Sequence, residues 1–170
     1  MSNTYIRISL RFILLIVVQV LILSNVHFLG YLNPYVYLLF ILTMPFETPK
    51  WVLLITAFAL GLSVDLFSNS LGIHAAASVF AAYFRPGVIS LITSRKEYEP
   101  GVEPSIADLG FQWFVTYTFI ITFLHHFCLF LIEAFRFTGF FGTLGHSFCN
   151  ALFTVLIIIL AQYIFYRKKK

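Results

Sequence analysis

The sequence predicts an all-α membrane protein, in which one polytopic bundle of six transmembrane helices occupies the whole chain, residues 1–170. Composition indicates this class. Of the 170 residues, 60% are hydrophobic and only 11% are charged, whereas about 25% of residues are charged in soluble domains. The mean hydropathy is +0.92. At roughly 20 residues per span, the chain accommodates five or six spans and leaves no room for a separate soluble domain.

Other protein classes fit the sequence less well. The net charge of +4 could suggest nucleic-acid binding, but the basic residues flank apolar segments, so no nucleic-acid partner is predicted. Cys128 and Cys149 fall in or beside apolar segments, which argues against a disulfide framework. Arg7 and Arg11 before an apolar run are typical of a signal peptide. Residues 24–27 offer no small-x-small cleavage site, however, so we expect a retained first span.

Six apolar segments make up the predicted bundle, and start signals support three of them. Asn33 and Thr48 each precede a proline, which places an N-cap side chain before a proline at the first helical position. Ser105 and Asp108 have the spacing of a capping box. The segments cover residues 8–28, 34–46, 49–67, 72–93, 106–132 and 147–166.

The second segment is short for a span. Its 13 residues would rise about 20 Å as a helix, against a hydrocarbon core of about 30 Å. Tyr31, Tyr35, Tyr37 and Trp51 are typical of the aromatic belts at helix ends. Charge nevertheless favours six spans with both termini cytoplasmic, because Arg136 is then the one basic residue outside. Ten basic residues then lie inside. They are Arg7, Arg11, Lys50, Arg85, Arg95, Lys96 and the four residues of the C-terminal tail, Arg167, Lys168, Lys169 and Lys170.

A carboxylate and a histidine flank the turn between the third and fourth segments. Ala57, Gly61 and Asp65 share one helix face, and alanines of the fourth segment, including Ala77 and Ala81, would let the two helices approach closely. We therefore predict a tight hairpin. Asp65 would be satisfied by His74 and by the free N–H groups that open the fourth helix. Three roles stay open for Asp65: a structural cap, a proton or ion relay, and a contact to a partner protein.

Arg85 is the second intramembrane charge. It lies about 20 Å into the fourth helix, counting from Gly72, which excludes a direct pair with Asp65 near the opposite end. Pro86 and Gly87 follow and are expected to kink or end the helix. Arg85 would then snorkel inward or bind carbonyl groups freed by the kink. A counter-ion for a bound substrate is the alternative.

The remaining polar and aromatic residues are expected to form contacts between helices or with a partner, and no catalysis or metal binding is predicted for them. His125, His126 and Cys128 lack HxxxH or CxxC spacing, so neither a metal nor a cofactor is predicted. No motif of a hydrolase or a phosphate-binding loop is present, so we do not predict an enzyme. A phenylalanine-rich stretch, residues 135–146, suits an interfacial loop. Together with the small residues of the hairpin, it is a candidate partner-binding surface, through Phe135, Phe137, Phe140 and Phe141.

The motifs between residues 33 and 87 resemble those of the rod shape-determining protein family MreD. The resemblance rests on Pro-Phe-Glu-Thr-Pro at 45–49, Gly61-x-x-x-Asp65, Gly72-x-His74-Ala and Arg85-Pro. It implies a non-enzymatic protein of the bacterial inner membrane that binds MreC, a single-span protein, during cell-wall elongation. It also implies indirect links to an MreB-like filament, a RodA-like transglycosylase and a class B penicillin-binding protein.

The same resemblance implies a fold similar to the substrate-binding subunits (S-components) of vitamin importers. A small-molecule importer subunit is therefore the alternative function. Such a subunit needs several hydrogen-bonding groups that converge on one pocket, whereas a scaffold needs an exposed groove for a partner helix.

Overall fold

The computed structural model describes residues 2–25, 32–93, 98, 102–134 and 140–165. Its regular elements are helices: α1 (Ser2–Leu21), a 3₁₀ turn (Leu23–Asn25), α2 (Leu38–Leu42), α3 (Lys50–Ser68), α4 (Ile73–Ile92), α5 (Ile106–Leu109), α6 (Phe111–Ala134) and α7 (Phe140–Phe165). Within the described residues, α3, α4, α6 and α7 are long and apolar enough to cross a membrane. The structure is thus that of an all-helical membrane protein.

The long helices pack against one another in chain order. Helix α3 packs on α4, α4 on α6 and α6 on α7, while α1 lies against α3. The short turn between α3 and α4 makes these two an antiparallel hairpin, as the sequence predicted. We refer to the end of the bundle where the hairpin turns as the Asp65 end, and to the opposite end as the Arg85 end.

Two of the predicted start signals are wrong. Asn33 does not open a helix, because α2 begins only at Leu38 and lasts five residues. Helix α3 begins at Lys50, and the hydroxyl of Thr48 donates to the Pro45 carbonyl (2.7 Å) and caps no helix N–H group. The N-cap half of the capping box is confirmed, since Ser105 Oγ accepts a hydrogen bond from the Asp108 N–H (3.1 Å), whereas the Asp108 carboxylate accepts from the Ser105 hydroxyl (2.7 Å) and not from a backbone N–H group.

Three predicted boundaries differ from the structure. The capping box opens only the four-residue α5, which ends at Gly110 with a φ of 87°, so the fifth segment is two helices. Helix α4 runs through Pro86 as far as Ile92, so the proline does not end it. Helix α7 begins at Phe140, so residues 140–146 are helical and do not form a loop.

The second segment forms the centre of the molecule. Residues 34–44 are all buried. Tyr35 and Tyr37 contact His74 at the Asp65 end, whereas Met44 contacts Arg85 at the other. We call residues 33–44 the core segment. It runs through the bundle from one end to the other, first as irregular chain and then as the five-residue α2, and the long helices surround it.

Candidate functional site: a buried polar core

The core segment places backbone polar groups deep inside an apolar bundle. Irregular backbone at membrane depth is tolerated only where protein surrounds it and satisfies its N–H and C=O groups. Some of the polar side chains of α1, α4, α6 and α7 bind these backbone groups.

Helix α7 binds the irregular part of the core segment. Asn150 Oδ1 accepts a hydrogen bond from the Asn33 N–H (2.8 Å), and Thr154 Oγ1 accepts one from the Tyr35 N–H (3.2 Å). The Thr154 hydroxyl lies 3.3 Å from His126 Nε2, to which it can donate. Asn150 and Thr154 are one helical turn apart, so α7 presents both from the same face.

Helix α1 binds the same stretch from another side through a single amide. Gln19 Nε2 donates to the Pro34 carbonyl (3.1 Å), and Gln19 Oε1 accepts from the Tyr37 N–H (3.4 Å). Gln19 is 1% exposed. One glutamine therefore satisfies a donor and an acceptor of the core segment before α2 begins, which a hydrophobic residue in this helix could not do.

At the Arg85 end, side chains cap the carbonyl groups that α2 leaves free. The Tyr117 hydroxyl donates to the Leu42 carbonyl (3.1 Å), and Arg11 Nη1 donates to the Thr43 carbonyl (3.3 Å). Arg85 Nη2 donates to the carbonyl of Met44, the next residue. The last carbonyls of any helix lack intrahelical partners and carry partial negative charge, so cations are favourable there.

Arg85 is therefore a structural clamp inside the protein. Its side chain is 2% exposed, and its Nε donates to the Tyr117 hydroxyl (2.7 Å). The sequence predicted that Arg85 snorkels or binds carbonyls freed by its own helix. Both versions are wrong, because the carbonyl that it binds belongs to Met44 in the core segment. The predicted absence of an Asp65–Arg85 pair agrees with these contacts.

A buried glutamate ties the start of α1 to the same end. Glu103 is 6% exposed and forms ion pairs with Arg7 and with Arg11, whose Nη2 lies 2.9 Å from Glu103 Oε2. Arg11 also donates to the Thr43 hydroxyl (2.7 Å). Glu103 thus neutralises the arginine that caps the core segment.

Asp65 has the capping geometry that the sequence predicted. Its two carboxylate oxygens accept hydrogen bonds from the His74 N–H (3.0 Å) and the Ala75 N–H (2.8 Å), in the first turn of α4. The Ser70 hydroxyl donates to the same carboxylate (2.5 Å). Asp65 is 2% exposed, so these donors replace water. The carboxylate holds the hairpin closed at its turn.

Gly61 sits one turn before Asp65 and sets the distance between the two helices. A Cβ at this position would lie 2.5 Å from Ala75 Cα and 2.5 Å from the His74 carbonyl oxygen. Ala57, Ala77 and Ala81 are fully buried in the same core. These four residues are packing positions inside the chain and are not exposed to a partner, in contrast to the partner-binding role that we considered for them.

Three histidines and two tyrosines meet where the core segment passes the Asp65 end. Tyr35 contacts the rings of His74, His125 and His126 at centroid distances of 5.2, 5.9 and 5.1 Å. The Tyr37 hydroxyl lies 2.7 Å from His125 Nε2. All five residues are buried, so the tyrosines do not form the aromatic belt that the sequence predicted.

Sequence reasoning missed this cluster because it treated the residues as dispersed. No spacing in the sequence indicates this cluster, because Tyr37 has helical dihedral angles (φ −57°, ψ −24°) and the Leu38 N–H donates to the Tyr35 carbonyl, so the two tyrosines lie in a turn that no sequence period describes. Within the described residues no group of three His, Cys, Asp or Glu side chains has the arrangement of a metal site.

An apolar groove runs along the lipid-facing side of the α3–α4 hairpin. It has a volume of about 790 Å³. Small residues of α4 and its N-cap form the floor, and bulky side chains of both helices form the walls. The lining residues are Leu54, Phe58, Leu62, Gly72, Ala75, Ala76, Val79, Phe80 and Tyr83.

The second candidate surface is described only in part. Phe140 and Phe141 are 40% and 86% exposed at the start of α7. Phe135 and Phe137 lie outside the described residues, as does Arg136.

The chain matches no protein family model, no curated protein and no solved structure. The fold and its buried polar core define a helical membrane protein whose interior polar groups bind its own backbone.

Proposed function

We propose that this protein is a membrane scaffold of the bacterial cell-wall elongation machinery, similar to MreD, that determines rod shape by binding an MreC-like single-span protein. The observation that carries the proposal is the apolar groove on the α3–α4 hairpin. Helices in lipid associate through close packing over small residues, because hydrophobicity alone does not favour contact with protein over contact with lipid. Gly72 and Ala76 on the groove floor supply such a surface.

The motif residues of the resemblance support a rigid scaffold. Gly61 allows the helices of the hairpin to touch, Asp65 closes its turn, and Arg85 fixes the core segment. A partner groove built from two helices keeps its shape only if the helices are held in one arrangement. None of these three residues needs a catalytic role, and we propose neither an enzymatic activity nor a cofactor.

We propose six passes through the inner membrane, with both termini cytoplasmic. Helices α1, α3, α4, α6 and α7 supply five, and the core segment supplies the sixth as a pass enclosed by protein. Arg11, Lys50 and Arg85 gather at one end of the bundle, as the positive-inside rule expects of the cytoplasmic end. The MreB-like filament, the RodA-like transglycosylase and the class B penicillin-binding protein would be linked through this assembly.

The importer alternative is less well supported. Three histidines do converge, since His74, His125 and His126 meet at the Asp65 end. Tyr35 and Tyr37 fill the space between them, however, and the cluster is at most 9% exposed. The large groove that does face outward is almost entirely apolar, which suits a helix better than a polar vitamin.

Filling the groove tests the proposal. Ala76 is exposed on the groove floor, so Ala76→Phe should block a partner helix without disturbing the core. Val17→Phe places the same ring on the exposed face of α1 and serves as the matched control. Substitutions at Gly61 or Ala81 are unsuitable, because both residues are buried and their replacement would disturb the fold itself.

The assay is co-purification with a tagged MreC-like protein that is encoded in the same genome and co-expressed with this chain. We expect Ala76→Phe to reduce recovery of the partner at least about tenfold, as expected for the loss of closely packed contacts worth roughly 1.5 kcal/mol. Val17→Phe should leave recovery unchanged. Equal recovery with both variants contradicts the groove. A folded chain that binds no single-span protein but takes up a vitamin-like ligand with sub-micromolar affinity favours the importer.

A further inference from the structure

A second, polar cavity lies at the Arg85 end of the hairpin. It has a volume of about 230 Å³, and Arg85 is the charged residue among those that line it. Thr48 and Phe46 close it from the loop before α3, while Ser90 and Thr93 close it from the last turns of α4. Arg85 thus binds the core segment on one side and borders this cavity on the other.

Within the part of the chain that the structure describes, no carboxylate balances the charge of Arg85. Its hydrogen bonds go to the Tyr117 hydroxyl and the Met44 carbonyl, which are neutral groups, and no acid of the described residues forms an ion pair with it. The C-terminal dipole of a full helix offers only about half a unit of negative charge. A buried cation at membrane depth is strongly unfavourable unless a counter-charge accompanies it.

The cavity also supplies a hydroxyl donor. Thr93 Oγ1 and the Tyr98 hydroxyl lie 2.7 Å apart, and Thr93 Oγ1 accepts a hydrogen bond from Trp113 Nε1 (3.0 Å). Two hydroxyls carry two protons, of which one lies between them. The other stays available to an acceptor in the cavity.

A neighbouring groove adjoins this cavity on the α3–α4 hairpin. It has a volume of about 300 Å³ and shares Leu53 and Pro86 with the cavity. Lys50 borders it at the start of α3, and its remaining walls are apolar, through residues such as Leu54 and Phe84. Two cations and a hydroxyl at the end of a membrane bundle, beside an apolar wall, are complementary to a phosphate group on an apolar body.

We propose that the cavity beside Arg85 binds a phosphate group, that of the headgroup of an anionic membrane lipid such as phosphatidylglycerol. The phosphate accepts charge-assisted hydrogen bonds from the guanidinium of Arg85 and provides its missing counter-charge. Lys50 lies near the entrance and adds attraction. The acyl chains stay in the bilayer beside α3 and α4.

The test leaves Arg85 in place, because its removal would also release the core segment. Ser90 is exposed and lines the cavity, so Ser90→Glu brings a carboxylate to Arg85 that competes with the phosphate. Ser90→Gln has nearly the same size and no charge, and is the matched control. Binding is measured by native mass spectrometry of the purified full chain, with phosphatidylglycerol, phosphatidylcholine or inorganic phosphate added.

We expect the unmodified chain and Ser90→Gln to retain phosphatidylglycerol about tenfold better than phosphatidylcholine, because the choline ammonium already neutralises the phosphate of phosphatidylcholine and leaves no net counter-charge for Arg85. Ser90→Glu should abolish that preference. Equal retention of both lipids by the unmodified chain overturns the proposal, as does an unchanged preference in Ser90→Glu. If inorganic phosphate alone binds, with the same loss in Ser90→Glu, the lipid assignment is wrong and the ligand is a free phosphate.

Discussion

Gly61→Ala is expected to open the α3–α4 hairpin. The new Cβ would lie 2.5 Å from Ala75 Cα, 2.5 Å from the His74 carbonyl oxygen and 2.7 Å from the Ala75 nitrogen. All three atoms belong to the backbone of α4, so no side chain can turn away to relieve the contact. The two helices must separate instead.

The size of the effect follows from the bonds next to this contact. Ordinary contact begins near 3.4 Å, so the helices must separate by about 0.9 Å, which is 3.4 minus 2.5. The same shift would stretch the bonds from Asp65 to the His74 and Ala75 N–H groups, now 3.0 and 2.8 Å, beyond hydrogen-bonding distance. Overpacking destabilises by about 1–3 kcal/mol and each hydrogen bond to a charged group contributes about 1.5–3 kcal/mol, so we expect a loss of roughly 2–4 kcal/mol after partial relaxation.

Gly87→Ala is the matched control, because a Cβ at Gly87 meets nothing within 4 Å. Alanine is a better helix former than glycine, so this variant should be unchanged or more stable by up to about 1 kcal/mol. Unfolding in detergent, followed through the fluorescence of Trp51 and Trp113, measures both variants. If Gly61→Ala is as stable as Gly87→Ala, the close approach of the two helices is not what holds the hairpin.

Two further predictions concern the turn of the hairpin and the topology. Asp65→Asn keeps one oxygen acceptor for the two N–H groups that open α4, whereas Asp65→Leu keeps none. The amount of folded protein should therefore decrease in the order Asp, Asn, Leu, and the free energy of unfolding of Asp65→Leu should be lower than that of the unmodified chain by about 2 kcal/mol. Equal loss of function in both variants at normal protein levels would show that the charge itself matters. Reporter fusions after Lys170 and within residues 94–105 should be cytoplasmic, and a fusion at Gly139 extracytoplasmic. A cytoplasmic signal at Gly139 together with an extracytoplasmic tail would contradict the six-pass topology.

The contacts around Asp65 were predictable because they are local. Only the end of α3 and a short loop separate Asp65 from His74, and the two helices that the loop joins must run antiparallel. The spacing alone therefore brings the carboxylate to the start of α4. Gly61 lies on the same helix face as Asp65, one turn away, so its role in close packing also follows from periodicity. Similar reasoning identified the capping box at Ser105.

The sequence by itself determined the class of protein, the positions of the long apolar helices and the closed hairpin at Asp65, because composition and short spacings fix them. Only the tertiary structure decided what the second segment does and what Arg85 binds. Periodicity describes one helix or strand at a time, but the core segment is mostly irregular, and its hydrogen-bond partners Gln19, Tyr117 and Thr154 come from three different helices. Buried backbone groups must be paired wherever the fold places them, so the roles of these polar residues became definable only when the helices were packed around the segment.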